Sequence, residues 1–411
     1  MSFYPLNYNK LVRIVRQTKN LLLVKIMNEY IPFHKPMITD DEVNEVVDAV
    51  RSGWWTMGPK VIRFEKKFNQ YIGSRYSVSA NSWTAAAHLS CEAIGLKKDD
   101  EVIVPSFTFT ATAEIVCYFG AKPVIVDVQQ DSFNIDPVKI EAAITNKTKA
   151  IIPVHYGGNP CDMDEILDIA KRYNLKIIED AAHALPASYK GKKIGTIGDV
   201  TCFSFYVTKT LAAGEGGMLC TNNEEISDRC SLMRLHGINK DSWKRYSDEG
   251  TWYYEVVAPG FKYNFNDIHA SLCLAQLSKI DLMLQMRKEI YDKYNSAFMD
   301  NELIKTYNIK SDRSSSYHLY PILLDIDKLS INRSRFIEEL KEKGIGSSVH
   351  FIPLYRHPFY QTNFQFEKNN YPVSEFIYPR IVTLPIWPAM NELQIDRVAD
   401  AVNCLTNKYK K

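Results

Sequence analysis

The sequence predicts an α/β protein: a mostly parallel, doubly wound sheet followed by a smaller α+β unit. Two observations carry that expectation. Short apolar runs at 102–104, 123–128, 150–155, 176–180 and 200–206 recur about every 25 residues, as buried strands do. Between them, stretches at 82–96, 108–119, 137–145 and 162–173 have helical character, and parallel neighbours require such crossover helices.

Taken in order, the first periodic element follows Asp40 and Asp41, either of which can cap a helix. Its Val43, Val46, Val47 and Val50 are expected to face inward, and Gly53 ends it. The runs 200–206 and 217–221 lie too close for a crossover helix, so antiparallel pairing enters there. One long helix is expected from Asp267 to about Phe298. Past the polar run 311–316 comes the second unit: a strand at 318–326, a helix at 333–343 stopped by Gly344, and strands at 345–352 and 381–386. A last helix capped by Asn391 closes it.

The 411 residues exceed one typical domain. We divide them into an N-terminal extension (1–30), a large domain (31–275), and a linking helix with a small domain (276–411). The extension carries Lys10, Arg13, Arg16, Lys19 and Lys25, with no acid through residue 27. Its apolar run 21–24 is too short for a secretory signal. With 45% apolar and 24% charged residues, the chain can build a large core. A net charge of +2 points to neither nucleic acid nor an anionic membrane. No apolar run approaches the roughly 18 residues that span a bilayer. Eight cysteines stand singly, without CxxC, HExxH or finger spacing. They read as free thiols in a reducing cytoplasm rather than metal ligands.

In open α/β sheets, ligands gather beyond the carboxyl ends of the strands. Those ends here offer Pro105-Ser106, His155-Tyr156, Asp180, and Ser204 to Lys209. No GxGxxG or Walker-type loop supports dinucleotide or P-loop chemistry. Asp180 closes an apolar strand, and a carboxylate buried there needs a cation. A pyridinium nitrogen is one such cation, and a plain helix cap is the alternative role. Lys209 follows a buried strand and precedes Gly214-Glu215-Gly216-Gly217. An amine so placed can attack an aldehyde and shuttle protons, or it is an ordinary solvated charge. Asn81-Ser82-Trp83-Thr84 opens a helix whose free amides suit a phosphate, with a simple Ser/Thr cap as the alternative.

Together these stretches resemble the DegT/DnrJ/EryC1/StrS family of sugar aminotransferases, which have the type I (aspartate aminotransferase-like) fold of pyridoxal-phosphate enzymes. The resemblance covers roughly residues 31–405. It runs through Ser52-Gly53-Trp54 with Gly58-Pro59, Pro105-Ser106-Phe107-Thr108-Phe109, and Ile151-Ile152-Pro153-Val154-His155-Tyr156-Gly157. It continues in Glu179-Asp180-Ala181-Ala182-His183-Ala184, Phe203-Ser204-Phe205, Gly214-Glu215-Gly216-Gly217 and Gly260-Phe261-Lys262-Tyr263-Asn264.

The resemblance implies pyridoxal 5′-phosphate as cofactor and assigns roles to matching positions. Lys209 holds the cofactor as a Schiff base and serves as acid–base. Asp180 pairs with the ring nitrogen, and Phe109 stacks on the ring. Thr84, Ser204 and the amides after Ser82, Trp83 among them, hold the phosphate. Asn264 reaches the phosphate from the other subunit, which implies a homodimer with shared sites. His183 lines the cofactor side and His350 the substrate side. Three positions depart from the family's habit: Trp83 stands where Gly is frequent, Thr210 where Asn is, and Tyr206 where His is.

The implied reaction moves an amino group from L-glutamate to a nucleotide-linked keto sugar. Related sugar dehydratases carry His at the lysine position, so Lys209 argues against that branch. A non-catalytic protein that binds cofactor or sugar nucleotide is expected to lose Lys209 or Asp180, and both are kept. Leu235-His236-Gly237-Ile238, the acid- and aromatic-rich segment to Glu255, and residues 260–264 look most like the UDP-aminoarabinose-forming branch. That implies a UDP-linked 4-ketone as acceptor. Trp54 or Trp55 would offer the nucleotide an aromatic face, and Arg234, Lys240 or Lys262 would meet its diphosphate. Met27 opens a stretch that reads like the usual beginning of a relative, so residues 1–27 are expected to be dispensable.

Overall fold

Seven strands form the central sheet of the computed structural model, which describes residues 29–239 and 253–411. In chain order they are β1 (Tyr76–Ala80), β2 (Glu101–Pro105), β3 (Lys122–Val126), β4 (Thr148–Ile151) and β5 (Lys176–Asp180). A two-strand ribbon follows, β6 (Ser188–Tyr189) and β7 (Lys192–Lys193). Then come β8 (Val200–Ser204) and β9 (Gly217–Thr221). The spatial order is β1-β9-β8-β5-β4-β2-β3. β3, β2, β4, β5 and β8 run parallel, and β9 lies antiparallel between β8 and β1. The chain therefore has the expected α/β architecture with a mostly parallel sheet.

Alternation along these strands builds a core on each face of the sheet. Ile103, Ile151, Ile177 and Phe203 point into one core, against the helices Pro59–Ile72, Met163–Tyr173 and Asp267–Leu277. Val102, Val104, Ile178 and Cys202 point into the other, against Trp83–Ala93, Ala111–Cys117 and Glu224–Met233. A third core packs β10 (Ile304–Thr306), β12 (Tyr320–Leu324) and β13 (Ile381–Leu384) beneath the helices Ile280–Phe298, Arg333–Glu342 and Glu392–Lys408. The short β11 (Arg313–Ser314) pairs with β6.

Several expectations are corrected. The helix Asp40–Ser52 is capped by Thr39 in a capping box with Glu42, not by Asp40 or Asp41. It buries Glu42 and Ala49, while Val43, Val47 and Val50 are exposed. Glu42 faces inward because Lys279 Nζ lies 2.8 Å from its carboxylate and Gln276 Nε2 donates to it at 3.1 Å. The helix expected over 267–298 is two, Asp267–Leu277 and Ile280–Phe298. Residues 345–352 make only isolated bridges, Ile31 with Ile345 and Ser348 with Thr383. β1 was not anticipated. All eight cysteines are free, and six are buried. Among the described residues, no helix is long and apolar enough to cross a membrane. The basic stretch of the extension, Lys240 and most of the segment before Glu255 lie outside the described residues.

Candidate active site

The strand registers bring the chemistry to one edge of the sheet. Gly217, the first residue of β9, pairs with Ala80 at the end of β1 and with Ser204 at the end of β8. Asp180, at the end of β5, pairs with Cys202 of β8. A cavity of about 610 Å³ opens there, within the usual range for small-molecule sites. Lys209, Asp180, Ser204, Thr84, Trp83, Phe109, His183 and His350 all line it.

Asp180 is buried, with one oxygen (Oδ2) accepting from Thr112 Oγ1 at 2.8 Å and the other (Oδ1) from the Ala182 amide at 3.0 Å. Burial pushes its carboxyl above the ordinary range, although those two donors and nearby Lys209 pull the other way. Burial lowers the Lys209 amine to about 8, against the raising influence of Asp180. Lys209 is the one lysine or arginine among the described lining residues. Around it stand four histidines, His34, His183, His318 and His350. Burial first, then nearby positive charge, drives His183 and His318 well below the usual imidazole value and His34 and His350 to about 3, so all four are neutral. His183 stacks on His318 at 4.6 Å and on Phe351 at 5.8 Å between ring centroids. His350 stacks on Phe33 and bonds Thr383.

The helix Trp83–Ala93 starts at the cavity, with Ser82 as its cap: the Ser82 oxygens accept from the Ala85 and Ala86 amides. The amides of Trp83 and Thr84 lead the helix, where a phosphate is favoured. A Cβ on Gly217 would sit 2.3 Å from the Ser82 carbonyl oxygen, so only glycine lets β9 press against this turn. The bulk of Trp83 is no obstacle, because its buried indole turns onto the Cys202 carbonyl, donating at 3.0 Å. The buried Thr210 hydroxyl has no hydrogen-bond partner among the described residues.

Five of the expected residues, Arg234, Trp54, Trp55, Lys262 and Asn264, are not among those lining the cavity. Arg234 is buried, with its guanidinium on Glu65 at 2.5 Å and on the Ser79 carbonyl at 3.0 Å, away from this chain's cavity. Trp54 packs beside Gly58, and Trp55 donates its indole N–H to the Val50 carbonyl. Asn264 bonds the neighbouring Phe265 carbonyl, outside this chain's own cavity. Conversely, Phe33, His34, Thr112, His318 and Phe351 line the cavity without having been singled out. Thr112 had a usable signal, one helical turn beyond Phe109. Phe351 directly follows His350, whereas Phe33, His34 and His318 arrive from segments distant in sequence and had no signal.

An acid for a ring nitrogen, an amine for an aldehyde, and a helix start with Ser204 for a phosphate match the three polar features of pyridoxal phosphate. The class that fold and cavity define is a pyridoxal-phosphate-dependent aminotransferase. Comparison with known proteins narrows this. The model of the DegT/DnrJ/EryC1/StrS aminotransferase family matches residues 36–403. The spore coat polysaccharide biosynthesis protein SpsC of Bacillus subtilis is 44% identical over 381 residues, 92% of this chain and 98% of SpsC. A putative sugar aminotransferase of Streptococcus pneumoniae, solved in its PLP form, superposes with a TM-score of 0.85 at 35% identity, covering 92% of this chain and 99% of that one. PseC of Helicobacter pylori, an aminotransferase of pseudaminic acid biosynthesis, superposes with a TM-score of 0.86 at 27% identity, covering 93% and 100%. The chain belongs to the DegT/DnrJ/EryC1/StrS sugar aminotransferase family.

Proposed function

We propose that this enzyme moves the amino group of L-glutamate to the keto carbon of a nucleotide-linked sugar, with a UDP-linked 4-ketone as the preferred acceptor. The observation that carries the reading is the meeting of Lys209 and Asp180 in one cavity with the helix start at Ser82. Pyridoxal phosphate, when bound, supplies the electron sink for negative charge on the carbon next to nitrogen.

The chain supplies the rest. Lys209 is the group that attaches the cofactor and carries the proton between carbons, and an amine lowered to about 8 can both give and take it near neutrality. Neutral histidines around it leave Lys209 as the mobile cation of the cavity. Asp180 keeps the ring nitrogen protonated. Ser204, Thr84 and the amides of Trp83 and Thr84 hold the phosphate. Phe109, half-exposed at the cavity, covers the ring, and His350 faces the substrate.

The working unit is a homodimer. Val43, Val47, Val50, Trp55 and Ile62 expose apolar surface on one chain, as expected of a face that meets a second copy. Asn264 would complete the phosphate cradle of the neighbouring site. A sugar-linked acceptor agrees with the polysaccharide and pseudaminic acid pathways named for SpsC and PseC. The UDP and 4-keto assignment rests on residues 235–264, with which His155-Tyr156-Gly157 and the Asp180–His183 stretch agree.

The test is 2-oxoglutarate release from L-glutamate in the presence of UDP-, dTDP- and GDP-linked keto sugars. The expected result is fastest turnover with a UDP-linked 4-ketone. Much faster turnover of a dTDP- or GDP-linked sugar rejects the nucleotide assignment. No release with any of them rejects the acceptor class.

A further inference from the structure

We infer that Thr108 and Thr112 form a one-way hydroxyl relay that holds Asp180 as a carboxylate, which makes both of them positioning residues for the cofactor's ring nitrogen. This rests on the reading of Asp180 as that nitrogen's partner.

Thr112 Oγ1 lies 2.8 Å from Asp180 Oδ2, and Thr108 Oγ1 lies 3.0 Å from Thr112 Oγ1. Both threonines line the cavity and are 2% and 1% exposed, respectively. A hydroxyl has one proton to give. A carboxylate can only accept, so Thr112 spends its proton on Asp180, and its oxygen must then accept from Thr108. The chain of donors therefore runs Thr108 to Thr112 to Asp180. A neutral acid would have a proton of its own and would remove that constraint.

The relay matters because Asp180 is otherwise poorly supplied. Its other oxygen takes the Ala182 amide at 3.0 Å, and among the described residues no cation bonds either oxygen. Burial penalises the charged form, and a hydrogen bond from a polarised hydroxyl offsets part of that penalty. The geometry also leaves room for a ligand. Thr112 occupies Oδ2 and Ala182 occupies Oδ1 with one bond each, while a carboxylate oxygen accepts about two. Thr112 thus fixes the rotation of the carboxylate and leaves acceptor capacity for a ring N–H. Thr108 does not touch Asp180 and acts only through Thr112.

The experiment measures the dissociation constant for pyridoxal phosphate and the visible spectrum of the bound cofactor. It uses Thr112→Val, Thr112→Ser, Thr108→Val, Asp180→Asn and the double variants Thr112→Val/Asp180→Asn and Thr108→Val/Thr112→Val. Valine is near-isosteric but cannot donate, and serine restores the donor. Thr112→Val is expected to weaken cofactor binding roughly 10-fold and Thr112→Ser by no more than about 2-fold, the span for one bond to a charged group. In the Asp180→Asn background, Thr112→Val should cost little more, because the carboxylate it served is gone. Thr108→Val should weaken binding alone but add nothing to Thr112→Val.

Wild-type affinity and spectrum in a folded Thr112→Val, with Asp180→Asn impaired, overturn the relay and leave the role of Asp180 standing. An equal cost of valine with and without the Asp180 carboxylate also overturns it. Unimpaired binding and an unchanged spectrum in Asp180→Asn sink the reading of Asp180 itself, and the relay with it.

Discussion

The cofactor-free protein should capture pyridoxal phosphate at a rate that climbs with pH and levels off above about 8. The neutral amine of Lys209 is the nucleophile, and burial lowers this amine from 10.5 to about 8. At pH 7.5 such a group is about one-quarter neutral, while an unperturbed lysine is about one-thousandth neutral, so the shift is worth roughly 200-fold in capture rate. The same shift opposes folding. Between pH 8 and 10.5 the unfolded chain holds a proton on Lys209 that the folded chain has released, so the cofactor-free protein gains stability as pH rises through this window. The penalty is fully present below pH 8 and amounts to about 3 kcal/mol for an amine lowered from 10.5 to about 8. Asp180 raises the lysine, so Asp180→Asn should move the midpoint of capture below the wild-type one. Stopped-flow absorbance from about pH 6 to pH 10 reads both midpoints. A wild-type midpoint near that of free lysine, or a midpoint raised by Asp180→Asn, would refute the reasoning.

Four further outcomes are expected. Lys209→Ala should abolish turnover and the visible band of the bound cofactor, since among the described residues no other lysine lines the cavity; a persisting band would reassign the attachment. Mixing inactive Lys209→Ala with inactive Asn264→Ala subunits should restore some activity, because one site per heterodimer is intact; no recovery in confirmed heterodimers counts against sharing. Asp267→Ala should destabilise the fold by about 2 kcal/mol in urea unfolding. Its carboxylate accepts the Gly58, Lys60 and Val61 amides at 2.9, 3.0 and 3.0 Å at the start of the helix Pro59–Ile72. A chain begun at Met27 should fold and assemble as the full one does, measured by circular dichroism and light scattering, and failure would show that the extension contributes.

Strands bounded by turns and built around a short apolar run were legible: β5, around Ile177-Ile178, and β9, around Met218-Leu219-Cys220, fall on the expected residues. β1 was not, because its Ser77 and Ser79 break the apolar pattern. Both are buried, and their hydroxyls are satisfied by Asn69 and by Glu65, the latter at 2.7 Å. Those partners lie on a helix that a strand pattern cannot reveal. The helix Asp40–Ser52 keeps its valine period, but Glu42 and Ala49 rather than the valines face the core. A stripe of valines marks a face that will be covered, without saying by what. Here Glu42, matched by Lys279 and Gln276, takes the core side.

Residue order alone determined the strand-end acid and amine, Asp180 and Lys209, and the helix start at Ser82, since each sits beside a local pattern that places it on one edge of a parallel sheet. Only the tertiary structure decided which other groups join them. Thr112 reaches Asp180 from the helix Ala111–Cys117, and His34 and His318 arrive from segments far from both Asp180 and Lys209 in sequence. Arg234, adjacent in sequence to family-like residues, turns instead to Glu65. Local pattern specifies which edge of an element faces a cavity. The partners across that cavity, and hence the pKa of the lysine within it, follow from the desolvation and hydrogen bonds that only packing creates.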